Sequence, residues 1–465
     1  MDRKWRTLII VCVAIFMLLL DITIVNVALP KIQRDLHASF TDLQWVVDAY
    51  SLLLATVVLN AGSLGDLLGR KRVFLTGVVL FTLASAACGA ATSPLFLNLA
   101  RGAQGIGGAI MFAVSLALLS QEFHGRERGT AFGIWGATIG AAVAIGPLVG
   151  GVLTEWAGWR WIFFVNLPIG ALCLLFGMRV LVESRDENHG GIDIPGQVLL
   201  SVGLFALVLG LLRGNAWGWS SGRVIGLLAG AVVALAAFAV VELRQSNPMF
   251  DVRLFKVPAF TGAQIVAFTI SSAMFAQFLY ITLYLQDILK YSPLQAGLRF
   301  LPLSMISFFA APLSGRLVGI VPIRVIMGTG MALVTLALYL MYGVTDSSSW
   351  LTLLPGFLVG GVGIGFVNPA LATTAVSVVP PQRAGMAAGV NNTFRQVGIA
   401  TGIAGLGAIF QASYMVGGTK HQFVHGLNNI FLVATFVALA GTILGFALVR
   451  GRDFVASAPE AAAAH

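Results

Sequence analysis

Charged residues are scarce in this sequence. Only 47 of its 465 residues are charged (28 Lys and Arg plus 19 Asp and Glu), about 10%, whereas a soluble domain carries roughly 25%. Hydrophobic residues make up 58% of the chain, and apolar runs recur from residue 7 to residue 449. A soluble chain of this length would need polar shells for about three domains. The composition therefore excludes soluble enzymes, nucleic-acid binders and disordered scaffolds, and it predicts a membrane protein.

Cysteine and histidine are rare as well. Cys12, Cys88 and Cys173 each lie inside an apolar run, where a small core residue is the simplest interpretation. All six histidines lie in predicted loops or tails. His421 and His425 are four residues apart, but on an outer loop we interpret them as solvated residues and not as metal ligands. The sequence predicts no disulfide, no metal, no cofactor and no enzymatic site.

The sequence signatures of two other classes of membrane transport protein are missing. No Lys is followed by Ser or Thr, so the phosphate-binding loop of an ATP-driven pump is absent. No segment resembles TVGYG, so the carbonyl filter of a potassium channel is absent too. Transport would therefore depend on an ion gradient or on a partner.

The apolar runs form fourteen segments of about 20 residues, the length that crosses a ~30 Å hydrocarbon layer. They lie near residues 7–29, 44–64, 73–92, 96–119, 130–153, 161–182, 195–213, 223–242, 259–286, 293–315, 323–343, 351–377, 394–415 and 427–449. With the amino terminus in the cytoplasm, 19 of the 28 basic residues fall on the cytoplasmic side, which places both termini inside. We interpret the net charge of +9 as this topology signal and not as a nucleic-acid site.

A faint internal repeat divides the chain. At an offset of 253 residues, the segment 62–66 aligns with 315–319. The shift maps the first six segments onto the last six in the same direction, as in transporters built from two parallel halves. We predict a six-helix bundle over 1–190, two inserted helices over 191–245, a second six-helix bundle over 246–452 and a disordered tail over 453–465.

The predicted loop between the second and third segments carries the most specific motif. It reads GSLGDLLGRKR from Gly62 to Arg72, and it resembles the signature loop of the major facilitator superfamily. The resemblance implies a conformational latch made of Asp66 with Gly62, Gly69, Arg70 and Lys71. The Asp66 carboxylate would face the amino terminus of the thirteenth span, which is predicted to begin between residues 392 and 395.

Three further stretches resemble motifs of this superfamily or of one of its branches. Residues 20–30 (LDITIVNVALP) resemble the first-span signature of the fourteen-span drug/proton antiporters of EmrB/QacA type, and residues 159–170 (WRWIFFVNLPIG) resemble another stretch that is typical of that branch. Residues 99–108 (LARGAQGIGG) look like the proton-transfer motif of the superfamily. The implied fold is an all-α integral membrane protein, with two parallel six-helix bundles, two inserted transmembrane helices and both termini in the cytoplasm.

Residues 146–151 (GPLVGG) look like the antiporter motif of the fifth span. Its members here are Gly146, Pro147, Gly150 and Gly151. We expect this kinked, close-packed span to seal against the second half when the protein closes to one side. Simple close helix packing is the alternative explanation for the small residues.

Ionisable residues at membrane depth are functional by default, because burying a charge there is costly. Between residues 259 and 450 the only acids are Asp287 and Asp346, both near outer ends of segments. We therefore expect a proton-binding carboxylate in the first half. Asp21 lies about 12 Å from the outer end of its span, and Asp48 and Arg101 lie about 6 Å and 8 Å inside theirs.

The resemblance implies that Asp21 and Arg101 face a central cavity, where a proton and a cationic substrate compete for Asp21. A structural Asp21–Arg101 ion pair and a solvated Asp48 at the rim remain as alternatives. Aromatic residues that could stack on a flat cation are also candidates for the cavity wall. They are Phe16, Trp135, Phe275, Phe278, Tyr280, Tyr284 and Phe308.

The function predicted from the sequence is proton-coupled export of hydrophobic, cationic small molecules by a monomer in the cell membrane of a bacterium. Its partners would be the substrate, protons and membrane lipid. Two other classes stay open: an exporter of one metabolite, lipid or antibiotic on the same fold, and a non-transporting membrane sensor or scaffold.

Overall fold

The structure, a computed structural model, describes residues 2–185, 193–245, 248–318, 320–414 and 418–454. Sixteen α-helices account for most of these residues, which confirms the all-helical prediction. Their bounds are α1 Arg3–Leu36, α2 Phe40–Leu68, α3 Arg70–Gly89, α4 Pro94–Glu122, α5 Gly125–Trp156, α6 Trp161–Phe164, α7 Asn166–Val180, α8 Ile194–Trp217, α9 Gly222–Arg244, α10 Pro258–Ile270, α11 Ala276–Leu283, α12 Pro293–Leu317, α13 Ile323–Met341, α14 Leu354–Ser377, α15 Ala384–Ser413 and α16 Lys420–Leu448.

Twelve helical stretches among the described residues are long and apolar enough to cross a membrane. Two of the twelve are composite. The stretch Trp161–Val180 joins α6 to α7. The stretch Pro258–Ile288 joins α10 to α11 through the π-helical segment Ser271–Phe275 and ends in a second π-helical segment, Tyr284–Ile288. Twelve of the fourteen segments predicted from the sequence match these stretches. The other two coincide with α5 and α15, which have 32 and 30 residues and are not among the twelve.

The prediction of a loop over residues 378–393 is wrong from residue 384 onward, because α15 begins at Ala384. The missed part of the helix reads AGMAAGVNNT. Its residues are small or polar, so their hydropathy is too low to mark a span. They are nevertheless buried, since this part of α15 packs on α2 and not on lipid.

The helices pack into two halves, which we call the first half (α1–α7) and the second half (α10–α16). The largest apolar core cluster lies entirely in the second half, between Ala263 and Val449. Two other clusters, between Leu8 and Leu181, form the core of the first half. Four second-half residues (Ala372, Val376, Ala384 and Ala388) are buried in one of these first-half clusters, so the halves share an apolar interface.

Glycines allow the backbones of the two halves to touch. A side chain at Gly62 of α2 would overlap the carbonyl oxygen of Gly385 in α15, and Gly129 of α5 and Gly315 of α12 exclude side chains from each other in the same way. One turn further along α5, a Cβ added to Gly133 would lie 2.8 Å from the Ala311 carbonyl oxygen. The halves are therefore closed against each other at the end that carries the Asp66 loop.

The helices α8 and α9 lie within the predicted insertion. On the first-half side of α8, Asn60 of α2 donates to the Ser201 hydroxyl (2.6 Å). On the second-half side, Asn215 of α8 donates to the Ala404 carbonyl of α15 (3.1 Å). Helix α8 therefore covers the interface between α2 and α15, whereas only 17% of an 18-residue apolar stretch of α9 is buried inside the protein.

Candidate functional site

A buried polar network surrounds Asp21 in the first half. Arg101 donates through Nη1 to Asp21 Oδ2 in an ion pair whose side chains are 1% and 0% exposed. The other carboxylate oxygen, Oδ1, accepts from Gln104 Nε2 at 2.9 Å and from Asn166 Nδ2 at 3.1 Å. Both Asp21 oxygens thus have donors, as a buried carboxylate requires.

A second set of contacts fixes the donors of this network. The Ser85 hydroxyl accepts from Gln104 at 3.2 Å and from Asn166 at 3.0 Å, and it donates to the Phe163 carbonyl at 2.9 Å. Arg101 Nη1 also donates to Gln104 Oε1 at 2.7 Å. The network therefore joins α1, α3, α4 and α7 inside one half.

Two contacts from α2 hold the Arg101 guanidinium. Its Nε donates to the Val46 carbonyl at 3.0 Å, and its Cζ lies 4.3 Å from the centre of the Tyr50 ring. The ring face attracts the cation. The network thus reaches α2, the helix that contacts α15 in the other half at its far end.

Asp48 does not join the Asp21 network. Its Oδ2 lies 3.2 Å from Nη2 of Arg213 in α8, with side chains 20% and 2% exposed. Arg213 also donates to Gln44 at 3.0 Å and lies over the Trp45 ring at 4.2 Å. The structure thus places Asp48 at the contact between α2 and the inserted helix α8.

Asp66 connects the two halves. Its Oδ1 accepts from the backbone N–H of Gly385 at 3.2 Å, and its Oδ2 accepts from the N–H of Met386 at 2.8 Å. Arg70 donates to Asp66 Oδ1 from Nε and Nη2, and Nη2 also reaches the Gln382 carbonyl at 3.0 Å. The carboxylate thus binds the unsatisfied N–H groups in the first turn of α15, about eight residues before the start predicted from the sequence.

The rest of the predicted latch shapes the turn. Gly69 separates α2 from α3 with φ of 110°, a conformation that other residues rarely adopt. Lys71 donates to the Met178 carbonyl at 2.8 Å. Glu183 accepts from the backbone N–H groups of Lys71 and Arg72 at 3.0 and 3.2 Å, so it caps α3. This role of Glu183 has no signal in the sequence, because nothing in its local pattern distinguishes it from a solvated acid.

The antiporter motif packs inside the first half. A side chain at Gly146 would overlap Thr23 of α1, and a Cβ at Gly150 would lie 2.9 Å from the Ile24 carbonyl oxygen. A Cβ built on Gly151 would meet no described atom of another element within 4 Å, and the Pro147 side chain lies outside the described residues. Other glycines of α5, including Gly129 and Gly133, make the contact with the second half.

The predicted cavity aromatics do not form one group. Trp135 is 1% exposed and stacks on Phe112 at 5.8 Å, while Phe16 packs in a first-half core. In the second half, the rings of Phe278, Tyr280 and Tyr284 contact Phe300, Phe410 and Phe423, respectively. Phe308 is 43% exposed. The Phe275 side chain lies outside the described residues.

Comparisons with known proteins decide the family. The sequence profile of the Major Facilitator Superfamily matches residues 11–403. The chain belongs to this superfamily. The multidrug resistance protein Stp of Mycobacterium tuberculosis is 40% identical over 87% of this chain and 76% of its own length. The puromycin resistance protein pur8 of Streptomyces alboniger is 36% identical over 97% of this chain and 92% of its own length.

A solved structure shares the fold. The human organic anion transporter MFSD10 (TETRAN) superposes with a TM-score of 0.71 over 96% of this chain and 100% of that chain. Their sequences are 16% identical, so this likeness concerns the fold alone. The protein is a multi-pass membrane transporter of the major facilitator superfamily, with relatives in bacteria, and not an enzyme.

Three members of the Asp21 network were not assigned from the sequence: Ser85, Gln104 and Asn166. Gln104 follows Arg101 by three residues, so both side chains lie on one face of α4, and this spacing was a usable signal. Asn166 lies in a quoted motif, but its partner Asp21 is 145 residues away. Only the packing of α7 on α1 in this transporter brings them together.

Neutralising one member of the buried pair should destabilise the transporter far more than neutralising both. Asp21→Asn leaves the Arg101 charge buried without a counterion, which costs about 3–5 kcal/mol. Asp21→Asn/Arg101→Gln leaves no uncompensated charge and should recover most of that loss. Thermal unfolding in detergent measures the stability of the wild type, the single variant and the double variant. The variant Asp346→Asn, at an exposed acid, is the control. Equal losses in the single and double variants would contradict the pairing.

Asp66→Asn should favour opening at the Asp66 end. A carboxylate at a helix amino terminus contributes up to about 2 kcal/mol when partly buried, which corresponds to a shift of roughly thirtyfold between two states. A single cysteine replacing buried Ala388, in a background without the three natural cysteines, should then react faster with a maleimide.

Asp42→Asn is the matched control for this labelling, because Asp42 lies at the opposite end of α2 and caps that helix. Unchanged labelling in Asp66→Asn, together with a collapse of substrate affinity, would assign Asp66 to substrate binding and not to the latch.

Proposed function

We propose that the protein exports hydrophobic small molecules in exchange for protons, by alternating access between its two halves. The observation that carries this proposal is the water-excluded Asp21–Arg101 pair at the centre of the first half. A buried carboxylate with a single counterion has two discrete states, protonated and ionised, and only the ionised state attracts Arg101. Relatives named as multidrug or antibiotic resistance proteins support the assignment to drug export.

The proton step follows from the contacts. Protonation of Asp21 removes the charge that holds Arg101 Nη1. Arg101 is also held by the Val46 carbonyl and the Tyr50 ring of α2. After loss of the ion pair with α1, these contacts with α2 remain. The same α2 ends at the Asp66 latch. Proton binding thus acts on α2, the helix that contacts the second half through Asp66.

Substrate does not share the Asp21 carboxylate in this proposal. The expectation of a cationic substrate depended on an Asp21 side chain open to the cavity. In the described conformation that side chain is 0% exposed, and three side chains donate to its two oxygens. We propose Asp21 as the proton carrier, with Arg101 as its partner, and we assign the charge preference of the substrate to other groups.

We propose fourteen spans for this monomeric transporter, as in the EmrB/QacA-type branch, with both termini in the cytoplasm of a bacterium and the protein in its cell membrane. Helices α5 and α15 are about 48 and 45 Å long at 1.5 Å per residue, which exceeds a ~30 Å hydrocarbon layer. They lie along α12 and α2, respectively. The excess of basic residues on one side supports the orientation. In that orientation the described conformation is closed toward the cytoplasm.

A dedicated exporter of one compound is the second candidate. The relative pur8 is named for resistance to puromycin alone, whereas Stp is named for multidrug resistance. The two relatives have similar sequence identity to this chain, 40% for Stp and 36% for pur8. The number of unrelated compounds that the purified protein transports separates the two candidates.

The coupling proposal predicts that the neutral variant Asp21→Asn/Arg101→Gln loses gradient-driven export. Proteoliposomes with an imposed pH gradient are loaded with a panel of lipophilic cations and neutral compounds. The wild type should move at least one compound against its gradient, and the variant should fall to the rate seen without a pH gradient. Substrate counterflow without the gradient should persist in the variant, which shows that it is folded. Unchanged gradient-driven export in the variant would exclude Asp21 as the proton carrier.

The fourteen-span topology predicts which loops a membrane-impermeant maleimide reaches from the cytoplasm. In a cysteine-free background, single cysteines at Glu127 and Arg383 should be labelled only in inverted membrane vesicles. Cysteines at Gly158 and Thr419 should be labelled only in intact cells. If α5 and α15 did not cross, each helix would have both ends on one side, and the labels at its two ends would appear together.

A further inference from the structure

We propose that the second half contains a recognition site for negatively polarised oxygen atoms of a substrate, such as a phenolate, a carboxylate or a quinone carbonyl. The site consists of Arg395, Gln264 and Asn392. This inference rests on the proposed export of small molecules, and it names the chemical class of substrate that the second half selects.

Arg395 differs from the other buried arginines. The structure buries Arg70, Arg101, Arg213 and Arg395 to an exposure of 6% or less. The first three lie within 4 Å of Asp66, Asp21 and Asp48, respectively. Within the described ranges no carboxylate lies within 4 Å of Arg395, and its one protein hydrogen bond is from Nη2 to Asn368 Oδ1 at 3.0 Å.

A guanidinium carries five N–H donors, so most of the hydrogen-bonding capacity of Arg395 is unused within the described part of the chain. The sequence supplies no counterion nearby in the chain either, since Asp287 and Asp346 are the only acids from residue 259 to residue 450. A buried cation without a counterion is unfavourable unless a ligand supplies one. The arrangement therefore favours an anionic or electron-rich oxygen.

Two buried amides, one on α15 and one hydrogen-bonded to α15, also present donors without acceptors among the described residues. Gln264 is 0% exposed and Asn392 is 1% exposed, and neither Gln264 Nε2 nor Asn392 Nδ2 has a hydrogen-bond partner among the described residues. Gln264 Oε1 accepts from Asn391 at 3.1 Å, which orients the free Nε2. Asn392 and Arg395 are three residues apart on α15, so they lie on one face. The cluster thus combines positive charge with unsatisfied donors.

The site lies beside the interface of the halves. Asn368, the partner of Arg395, precedes Pro369 in α14. A Cβ built on Gly136 of α5 would contact both residues at 3.5 and 3.6 Å. Trp135, the residue before Gly136, stacks on Phe112 and has a buried indole N–H without an acceptor among the described residues. A flat aromatic compound that bears oxygen acceptors would match both the rings and the donors along this interface.

Binding to the purified full-length protein in detergent tests the proposal with two probes. Alizarin, a hydroxyanthraquinone, has phenolic and quinone oxygens. Tetraphenylphosphonium is a lipophilic cation without oxygen acceptors. We expect saturable alizarin binding by the wild type, at least tenfold weaker binding by Arg395→Ala, and partial recovery in Arg395→Lys, which keeps the charge but not the planar fork. Tetraphenylphosphonium affinity should change less than twofold. Arg299→Ala, at a half-buried arginine on the Tyr291 ring, is the control.

Asn392→Asp keeps the test informative if Arg395→Ala does not fold. The new carboxylate should pair with Arg395, raise the thermal stability and weaken alizarin binding at least tenfold. Equal weakening of both probes in Arg395→Ala would show that Arg395 only supports the kinked α14. No alizarin binding by the wild type, or no effect of Asn392→Asp on it, would overturn the proposal. Because equilibrium binding needs no proton gradient, failure of gradient-driven export would affect the proposed function alone.

Discussion

Three of the four buried arginines, Arg70, Arg101 and Arg213, pair with a carboxylate inside the protein, and the architecture depends on these pairs. Asp21 and Arg101 join α1 to α4 at the centre of the first half. Asp48 and Arg213 hold the inserted helix α8 on α2. Asp66 satisfies the otherwise unpaired N–H groups in the first turn of α15 across the interface. Helix α2 thus contacts Arg101 of α4 through Val46 and Tyr50, α8 through Asp48 and α15 through Asp66, which makes α2 the helix through which these parts of the bundle influence one another.

Hydropathy predicted the order of the helices and the twelve candidate spans, because lipid-facing and core-facing helices are both apolar. It failed where a helix is buried against another helix and not against lipid. The start of α15 at Ala384 was missed for this reason, although the same segment supplies the N–H groups that bind Asp66. The π-helical segments between α10 and the loop after Ile288 had no signal in the sequence that hydropathy could detect.

Candidate charges were found because acids and arginines at membrane depth are few, whereas their partners were found only in part. The sequence placed Asp21 and Arg101 at one level of the membrane and left a structural ion pair between them as an alternative, and the structure places them in contact. It gave no reason to connect Asp48 with Arg213, 165 positions later, because that contact depends on where the inserted helices dock. Neutral side chains such as Ser85 and Asn166 escape any search for charge, yet they complete the coordination of Asp21.

Helix α5 links this network to the closure of the bundle. Toward one end, Gly129 and Gly133 bring it into backbone contact with α12 of the second half. Toward the other end, Gly146 and Gly150 leave room only for Thr23 and Ile24 of α1, which lie within one turn of Asp21. Contacts this close cannot absorb a displacement by repacking. A shift of α1 around Asp21 must therefore move α5, and α5 can move only by changing its contact with the second half.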